Sequence, residues 1–417
     1  MSRIRATYWI ETPVDPHQAA RSIAGEQSSG TFVAVPGETE ELKNRFAARV
    51  EEVKVLETAS SPSLPGSRPA GAGTYTRARV KVSWPAENVG SNLTVLLSTL
   101  QGNLYELAQL SGIRLLDFDL PAEMAGRFSG PAFGIEGSRK TGGVFGRPLI
   151  GTIIKPSVGM SPEQTAALVK EILAAGIDFV KDDELMGNPP HSPFVERTSA
   201  VLKEINDHAR RTGKQVLYAA NISDDLDTMQ RNYDHLVRNG GVCAMISVNA
   251  VGLAGVMKIA ARGELVLHGH RNGWGMLNRH PATGMDFSAY QKIWRLAGID
   301  QLHVNGIDNK FWEPDDSVVH SIECCLKDWH SLRSPLPVVS SGQWGGQAPE
   351  TWRRTGTPDL LYMAGGGIMA HPMGPPAGVT AIRQAWQCAM EGLSLEQGAA
   401  RHPELKAAVD KFGRKGG

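Results

Sequence analysis

The densest chemistry in the chain lies between Gly176 and Glu184, where the apolar run Ile177, Phe179, Val180 ends in Lys181 and is followed at once by Asp182, Asp183 and Glu184. A buried strand that finishes this way delivers a cation and a set of hard oxygen donors to one end of a sheet, and such oxygens suit magnesium. In a parallel α/β barrel, the active site sits at the C-terminal ends of the strands. Taken alone, the stretch is more simply read as a charged strand-to-helix loop that caps a helix and makes surface ion pairs. The rest of the chain decides between the two.

From about residue 147, short apolar runs alternate with amphipathic helical segments. Strands are expected at 148–155, 177–182, 215–221, 243–249, 264–269, 301–304, 337–340 and 360–364, with helices such as 162–175, 195–211, 226–238, 287–296, 317–329 and 377–391. A closed (β/α)8 barrel is the economical arrangement of these elements, and an open doubly wound sheet is the alternative. The residues after the strands are chemically biased: Lys155-Pro156, then Lys181, Asp183 and Glu184, then Asn221, then His268, His270 and Arg271, then His303 and Asn305, then Ser341-Gly342, then Gly365-Gly366-Gly367. Lysine, acid, histidine, arginine and glycine recurring at one end of successive strands point to an active site. Backbone N–H groups of Ser341-Gly342 and of the glycine triplet suit a phosphate, while His270, Arg271 and His303 suit a second anionic end. Together they imply a phosphorylated small-molecule substrate and enolate chemistry, with a divalent cation lowering the cost of an enediolate and Lys155 moving a proton. Any single histidine or the triplet alone reads as structural.

The first part of the chain has a different rhythm. Residues 4–12, 48–56 and 73–84 alternate as strands, Asp15-Pro16 opens a short helix ending near Gly25, and 94–100 and 114–120 add apolar stretches. This is the pattern of a small α+β domain with an antiparallel sheet. The chain, 417 residues long, therefore suits two domains, 1–128 and 129–417. Lysine plus arginine equals aspartate plus glutamate at 43 each, which gives no electrostatic case for nucleic acid or an anionic membrane. No apolar run approaches the roughly 18 residues of a membrane span. The cysteines 243, 324, 325 and 388 lack metal-ligand spacing and read as reduced core residues, so a cytoplasmic location is expected.

The segments Gly151 to Pro156, Gly176 to Glu184 and His268 to Arg271, followed by His303 with Lys310, Ser341-Gly342 and Gly365 to Gly367 before His371-Pro372, resemble in order and spacing the large subunit of ribulose-1,5-bisphosphate carboxylase/oxygenase. The resemblance implies an α/β protein with a C-terminal (β/α)8 TIM barrel preceded by a small α+β ferredoxin-like domain. It also implies that Lys181 takes up carbon dioxide as a carbamate and, with Asp183 and Glu184, binds Mg2+. Lys155 becomes the proton-transfer lysine, His270 and Asn103 polar substrate contacts, and Lys310 the tip of a closing loop. Arg271, His303, Ser341 and Gly342 would hold one end of the substrate, with Thr31, Gly365 and Gly366 at the other. Glu26 to Phe32 and Gly102-Asn103 look like loops that enter a neighbouring subunit's barrel, so the resemblance implies a homodimer with shared active sites in which Glu26 contacts substrate. From the residues alone, the acids beside Lys181 are expected to raise its pKa.

The departures are specific. Ser157, Ile153, Gln343 and Phe32 stand where the carboxylase has a lysine, a threonine, a phosphate-loop glycine and a tryptophan. A RuBisCO-like protein that keeps enolisation chemistry without fixing carbon dioxide is the better match. The expected reaction is decarboxylation of 3-oxo-isoapionate 4-phosphate. The alternatives are enolisation of 2,3-diketo-5-methylthiopentyl-1-phosphate and isomerisation of 5-methylthioribulose-1-phosphate. A non-catalytic binding protein is the alternative from another class.

Overall fold

The computed structural model describes residues 2–29, 35–68 and 73–413. In chain order its strands are β1 (Arg3–Thr12), β2 (Arg49–Ala59), β3 (Tyr75–Pro85), β4 (Gly112–Asp119), β5 (Leu149–Ile153), β6 (Phe179–Lys181), β7 (Leu217–Asn221), β8 (Cys243–Ser247), β9 (Val266–His270), β10 (Thr283–Met285), β11 (Gln301–His303), β12 (Leu336–Val339) and β13 (Leu361–Met363). The chain forms two compact units, one of residues 1–129, 273–297 and 330–332, the other of residues 130–272, 298–329 and 333–417.

The first unit is built on a five-stranded sheet in the order β10-β4-β1-β3-β2. Alternation along β1 buries Ile4, Ala6, Tyr8 and Ile10, and along β3 it buries Ala78, Val80, Val82 and Trp84. Strand β2 lies at the edge, where its charged sequence discourages further pairing. The apolar stretch 94–100 is a helix, Leu93–Leu100, because Asn92 caps it by accepting from the N–H groups of Thr94 and Val95 at 3.1 Å each. Segment 287–296, expected among the barrel helices, is helix Phe287–Ala297 and groups with the first unit. Its Lys292 donates to Asp117 and to the Phe118 carbonyl, both at 2.7 Å, and the preceding β10 pairs parallel with β4.

In the second unit all eight remaining strands close into a parallel barrel in the order β5-β6-β7-β8-β9-β11-β12-β13. Each falls within or beside the range expected from the sequence. The barrel interior is filled by Leu149, Phe179, Leu217, Ala219, Cys243, Met245, Val266, Leu336, Val338, Leu361 and Met363. The helices have clear local causes. Pro162–Ala174, for example, starts with proline in its first turn and a reciprocal cap between Ser161 and Gln164. Cys243, Cys325 and Cys388 are buried, whereas Cys324 is only half-buried. No helix among the described residues is long and apolar enough to cross a membrane.

Candidate active site at the barrel mouth

Pleating sends alternate residues of each barrel strand inward. The faces that supply Phe179, Ala219, Met245, Val266, Val338 and Met363 to the core continue, two residues at a time, to Lys181, Asn221, Ser247, His268 and His270, Ser340 and Gly365. Gln301 and His303 share the inward face of β11, since both bond to His268. Apolar filling thus gives way to a polar ring at the C-terminal end of the strands.

Lys155 Nζ, beyond β5, donates to Asp183 Oδ2 at 2.6 Å and to Ser157 Oγ at 2.7 Å. Lys181 is fully buried; its Nζ donates to the Asp182 carbonyl at 2.7 Å and lies 3.8 Å from Glu184 Oε2. Burial pulls the Lys181 ammonium down from 10.5 to about 8, outweighing the raising effect of Glu184, Asp183 and Asp182. The expectation of a raised pKa is therefore reversed, because the full desolvation of a strand-end lysine exceeds the field of three acids that keep water or other partners. Burial works to raise the Asp183 carboxyl too, but the hydrogen bonds from Lys155 and the Leu185 N–H together hold it below the usual range. Asp182 faces the other way. It accepts from Tyr218 Oη at 2.7 Å, the Asn221 N–H at 3.1 Å and Arg197 Nη2 at 3.2 Å, and it fixes the backbone from which its neighbours project.

The histidines form a directional chain. Gln301 Oε1 lies 2.9 Å from His268 Nδ1, which must carry the proton, because an amide oxygen only accepts. His268 Nε2 then accepts from His303 Nε2 at 2.8 Å, and His303 Nδ1 accepts from Ser340 Oγ at 3.0 Å. Burial, reinforced by Lys181, lowers His268 to about 3, and burial with neighbouring charges and rings pushes His270 and His303 well below 6.5. At neutral pH these rings are neutral hydrogen-bonding groups, so the cationic role expected for them passes to Arg271. A histidine whose folded pKa is depressed leaves the unfolded chain to take up the proton, so stability is present above pH 6.5 and is lost as pH falls toward 3. His268 alone should cost about 1.4 kcal/mol per pH unit over that window. Denaturant midpoints from pH 7.5 to 5 are expected to fall steeply in the wild type, with the slope reduced by one proton in His268→Gln; equal slopes would refute the assignment.

The loops after β11 and β12 are fastened together. Arg271 Nη2 donates to Glu313 Oε2 at 2.7 Å, Asn305 Nδ2 donates to the same oxygen at 2.5 Å, and Ser341 Oγ donates to Asn305 Oδ1 at 2.7 Å. The Lys310 N–H donates to the Ser341 carbonyl at 3.2 Å, while its side chain is exposed with Nζ 5.1 Å from the Phe311 ring centre. Buried Gln343, in place of a glycine, donates to the Ile307 carbonyl at 3.0 Å and ties the same loops. Asn305, Asp308 and Ser341 all take positive φ, a local strain typical of functional loops. In the triplet, a Cβ on Gly367 would lie 2.4 Å from the Gln343 carbonyl, one on Gly365 would reach Lys155 Cε at 3.6 Å, and one on Gly366 would meet open space. Gly367 is thus required for packing, and Gly365 keeps space clear beside Lys155.

The barrel mouth accordingly gathers Lys155, Lys181, Asp183, Glu184, His270, Arg271 and His303, with Ser341 and Gly342 in the loop after β12 and Gly365 and Gly366 beyond β13. Glu26 and Asn103 are paired on the first unit, Asn103 Nδ2 donating to Glu26 Oε1 at 3.1 Å. Thr31 and Phe32 lie outside the described residues. Sequence reasoning misses Glu313, whose role rests on a fold-dependent contact, and Ser247, which the alternation Cys243, Met245, Ser247 could have placed on the inward face.

Comparison with known proteins agrees with this geometry. Residues 3–124 match the ribulose bisphosphate carboxylase large chain N-terminal domain, and 134–412 match its catalytic domain. The chain is 49% identical over 412 residues to a 3-oxo-isoapionate-4-phosphate decarboxylase of Rhizobium etli, covering 98% of both chains. It is 51% identical over 409 residues to a 3-oxo-isoapionate-4-phosphate transcarboxylase/hydrolase of Xanthobacter autotrophicus, again covering 98% of each. A crystal structure of a rubisco-like protein from Burkholderia fungorum superposes with a TM-score of 0.92 at 43% identity, covering 99% of this chain and 100% of that one. The barrel, its polar mouth and these full-length matches place the chain in the ribulose bisphosphate carboxylase large-chain family, among its RuBisCO-like members.

Proposed function

We propose that the chain is a cytoplasmic, magnesium-dependent decarboxylase of 3-oxo-isoapionate 4-phosphate, working as a homodimer whose active sites are shared between subunits and whose barrel begins near residue 129. The observation that carries the reading is Lys155 at the barrel mouth, bonded to Asp183 at 2.6 Å in a ring that also holds Lys181 and Glu184. Similarity to the Rhizobium etli decarboxylase supplies the substrate.

The donor set fits a hard cation. Asp183 and Glu184 offer consecutive carboxylates, and among the described residues no cluster of three or more histidine, cysteine or acidic side chains provides a ready-made site. Lys181 can supply a further oxygen only as a carbamate, and its depressed pKa favours the neutral amine that reacts with carbon dioxide. Bound magnesium would neutralise the negative charge that develops on the substrate's ketone oxygen. Arg271, His303, Ser341 and Gly342 would hold one anionic end, and Gly365 and Gly366, with Thr31, the other. Asn103 and Glu26 would reach substrate from the partner, and Lys310 would close over it. The bond from the carboxylate to the carbon beside the ketone breaks, carbon dioxide leaves, and the electron pair passes into the enediolate. Lys155, positioned by its hydrogen bond to Asp183, returns a proton to carbon and is replenished from solvent.

Two observations favour other readings. The Xanthobacter autotrophicus relative is a transcarboxylase/hydrolase at similar identity. A cavity of ≈ 590 Å³ beside Lys155 has Pro156, Val158, Met160 and Leu168 in its wall, an apolar lining that a methylthio substrate would suit. With magnesium, bicarbonate and 3-oxo-isoapionate 4-phosphate, the expected result is one carbon dioxide released per substrate consumed. Retention of the carboxyl carbon in a product would establish transcarboxylation, and solvent-deuterium exchange confined to methylthio sugar phosphates would sink the decarboxylase assignment.

A further inference from the structure

The fourth barrel strand brings a group to the mouth that none of the roles above uses. Ser247 ends β8, pairs in register with His270 of β9, and continues the inward face of Cys243 and Met245, both members of the barrel core. The next residue, Val248, begins a helical turn and packs its Cγ1 near Gly269 of β9. Ser247 is 4% exposed, and its backbone N–H is fixed by Ser223 Oγ at 2.8 Å. Yet its own Oγ is buried without a hydrogen-bond partner.

The other polar members of the ring are engaged. Lys181 bonds to the Asp182 carbonyl, Asn221 to the Glu184 carbonyl at 3.1 Å, His270 accepts from the Asn272 N–H, and His303 and Ser340 bond to each other. Buried hydroxyls are rarely left unpaired, and an exception at a fixed position in a binding face marks a place where something else supplies the partner. A serine that served only packing would be served as well by alanine.

We propose that Ser247 is a substrate-binding residue, its Oγ hydrogen-bonded to a hydroxyl or carboxylate oxygen of the bound sugar acid beside His270. The proposal rests on the barrel mouth being a phosphorylated sugar-acid site. Filling a vacant hydrogen bond on binding also gives discrimination, since a ligand lacking that oxygen leaves the hydroxyl unpaired.

Ser247→Ala removes the hydroxyl with little change of volume. Its melting temperature without ligand should equal or exceed that of the wild type, because no protein hydrogen bond is lost. kcat/KM for 3-oxo-isoapionate 4-phosphate should fall about 10- to 100-fold, with Ser247→Thr recovering part of the loss. Unchanged kcat/KM in Ser247→Ala, with active wild type, would overturn the inference and leave the decarboxylase assignment standing. If wild type does not turn over that substrate, the assignment fails and Ser247 is judged by calorimetric binding of erythronate 4-phosphate with magnesium and bicarbonate. Weaker binding by Ser247→Ala would support the inference; equal binding, or none by wild type, would overturn it.

Discussion

The Lys181→Met variant should lose turnover by on the order of 10³–10⁴-fold while melting within a few degrees of the wild type. Methionine matches most of the lysine stem, so the fully buried side chain is replaced without a large cavity. Removing the ammonium also removes a desolvation cost, the same cost that lowers its pKa to about 8. The charge left behind is tolerable, because Glu184 keeps 35% of its side chain exposed and can hydrate. Activity has no such escape under the proposed function, since a thioether cannot become the carbamate that the reading requires beside the two carboxylates. Turnover, magnesium affinity and calorimetric melting together check this: retained activity would remove Lys181 from the mechanism, and a collapse of the fold would make its role structural.

The Asp182→Ala variant should show the opposite profile, losing about 3–5 kcal/mol of stability. Asp182 and Arg197 are each 1% exposed and lie 3.2 Å apart, so truncation strands a buried guanidinium. It also removes the acceptor for Tyr218 and for the Asn221 N–H, both part of β7 beside the Lys181–Glu184 stretch. Asp183→Asn, one residue further, should instead remain folded and inactive, because it weakens the Lys155 contact and, under the proposed function, removes a magnesium ligand, while sparing the buried Asp182 network. Denaturant midpoints and turnover measured on both variants separate the two acids. If Asp182→Ala is as stable as Asp183→Asn, the division of labour between them is wrong.

The barrel is legible in the sequence because its strands are bracketed by strong punctuation: an apolar run, then lysine, acid, histidine or glycine, then a capped helix such as the one from Pro162 to Ala174. The site residues on β5, β6, β9, β11 and β12 follow from counting along those runs. Helix Phe287–Ala297 is harder to place, because its amphipathic pattern carries no mark of which sheet it will cover, and the parallel pairing of β10 with β4 is a long-range choice. The pKa of Lys181 escapes sequence reasoning for a related cause. Neighbouring charges are visible along the chain, whereas burial is a property of the closed barrel. Glu313 is invisible because its contacts to Arg271 and Asn305 depend on how the loops fold back on one another.

The run Ser340, His303, His268, Gln301 has a sense of travel, each group donating to the next, and it ends where Gln301 Nε2 donates to Ser138 Oγ at 3.1 Å on the helix Gly134–Gly142. Its polarity is set at the amide end, away from the mouth, and cannot reverse at one ring without reversing at all of them. His303 is therefore held in one tautomer by a residue that never meets substrate. A change at Ser138 or Gln301 would be felt at the mouth as an exchanged donor and acceptor, with no atom there displaced. Mutation can thus alter the chemistry of this barrel's rim by editing its floor.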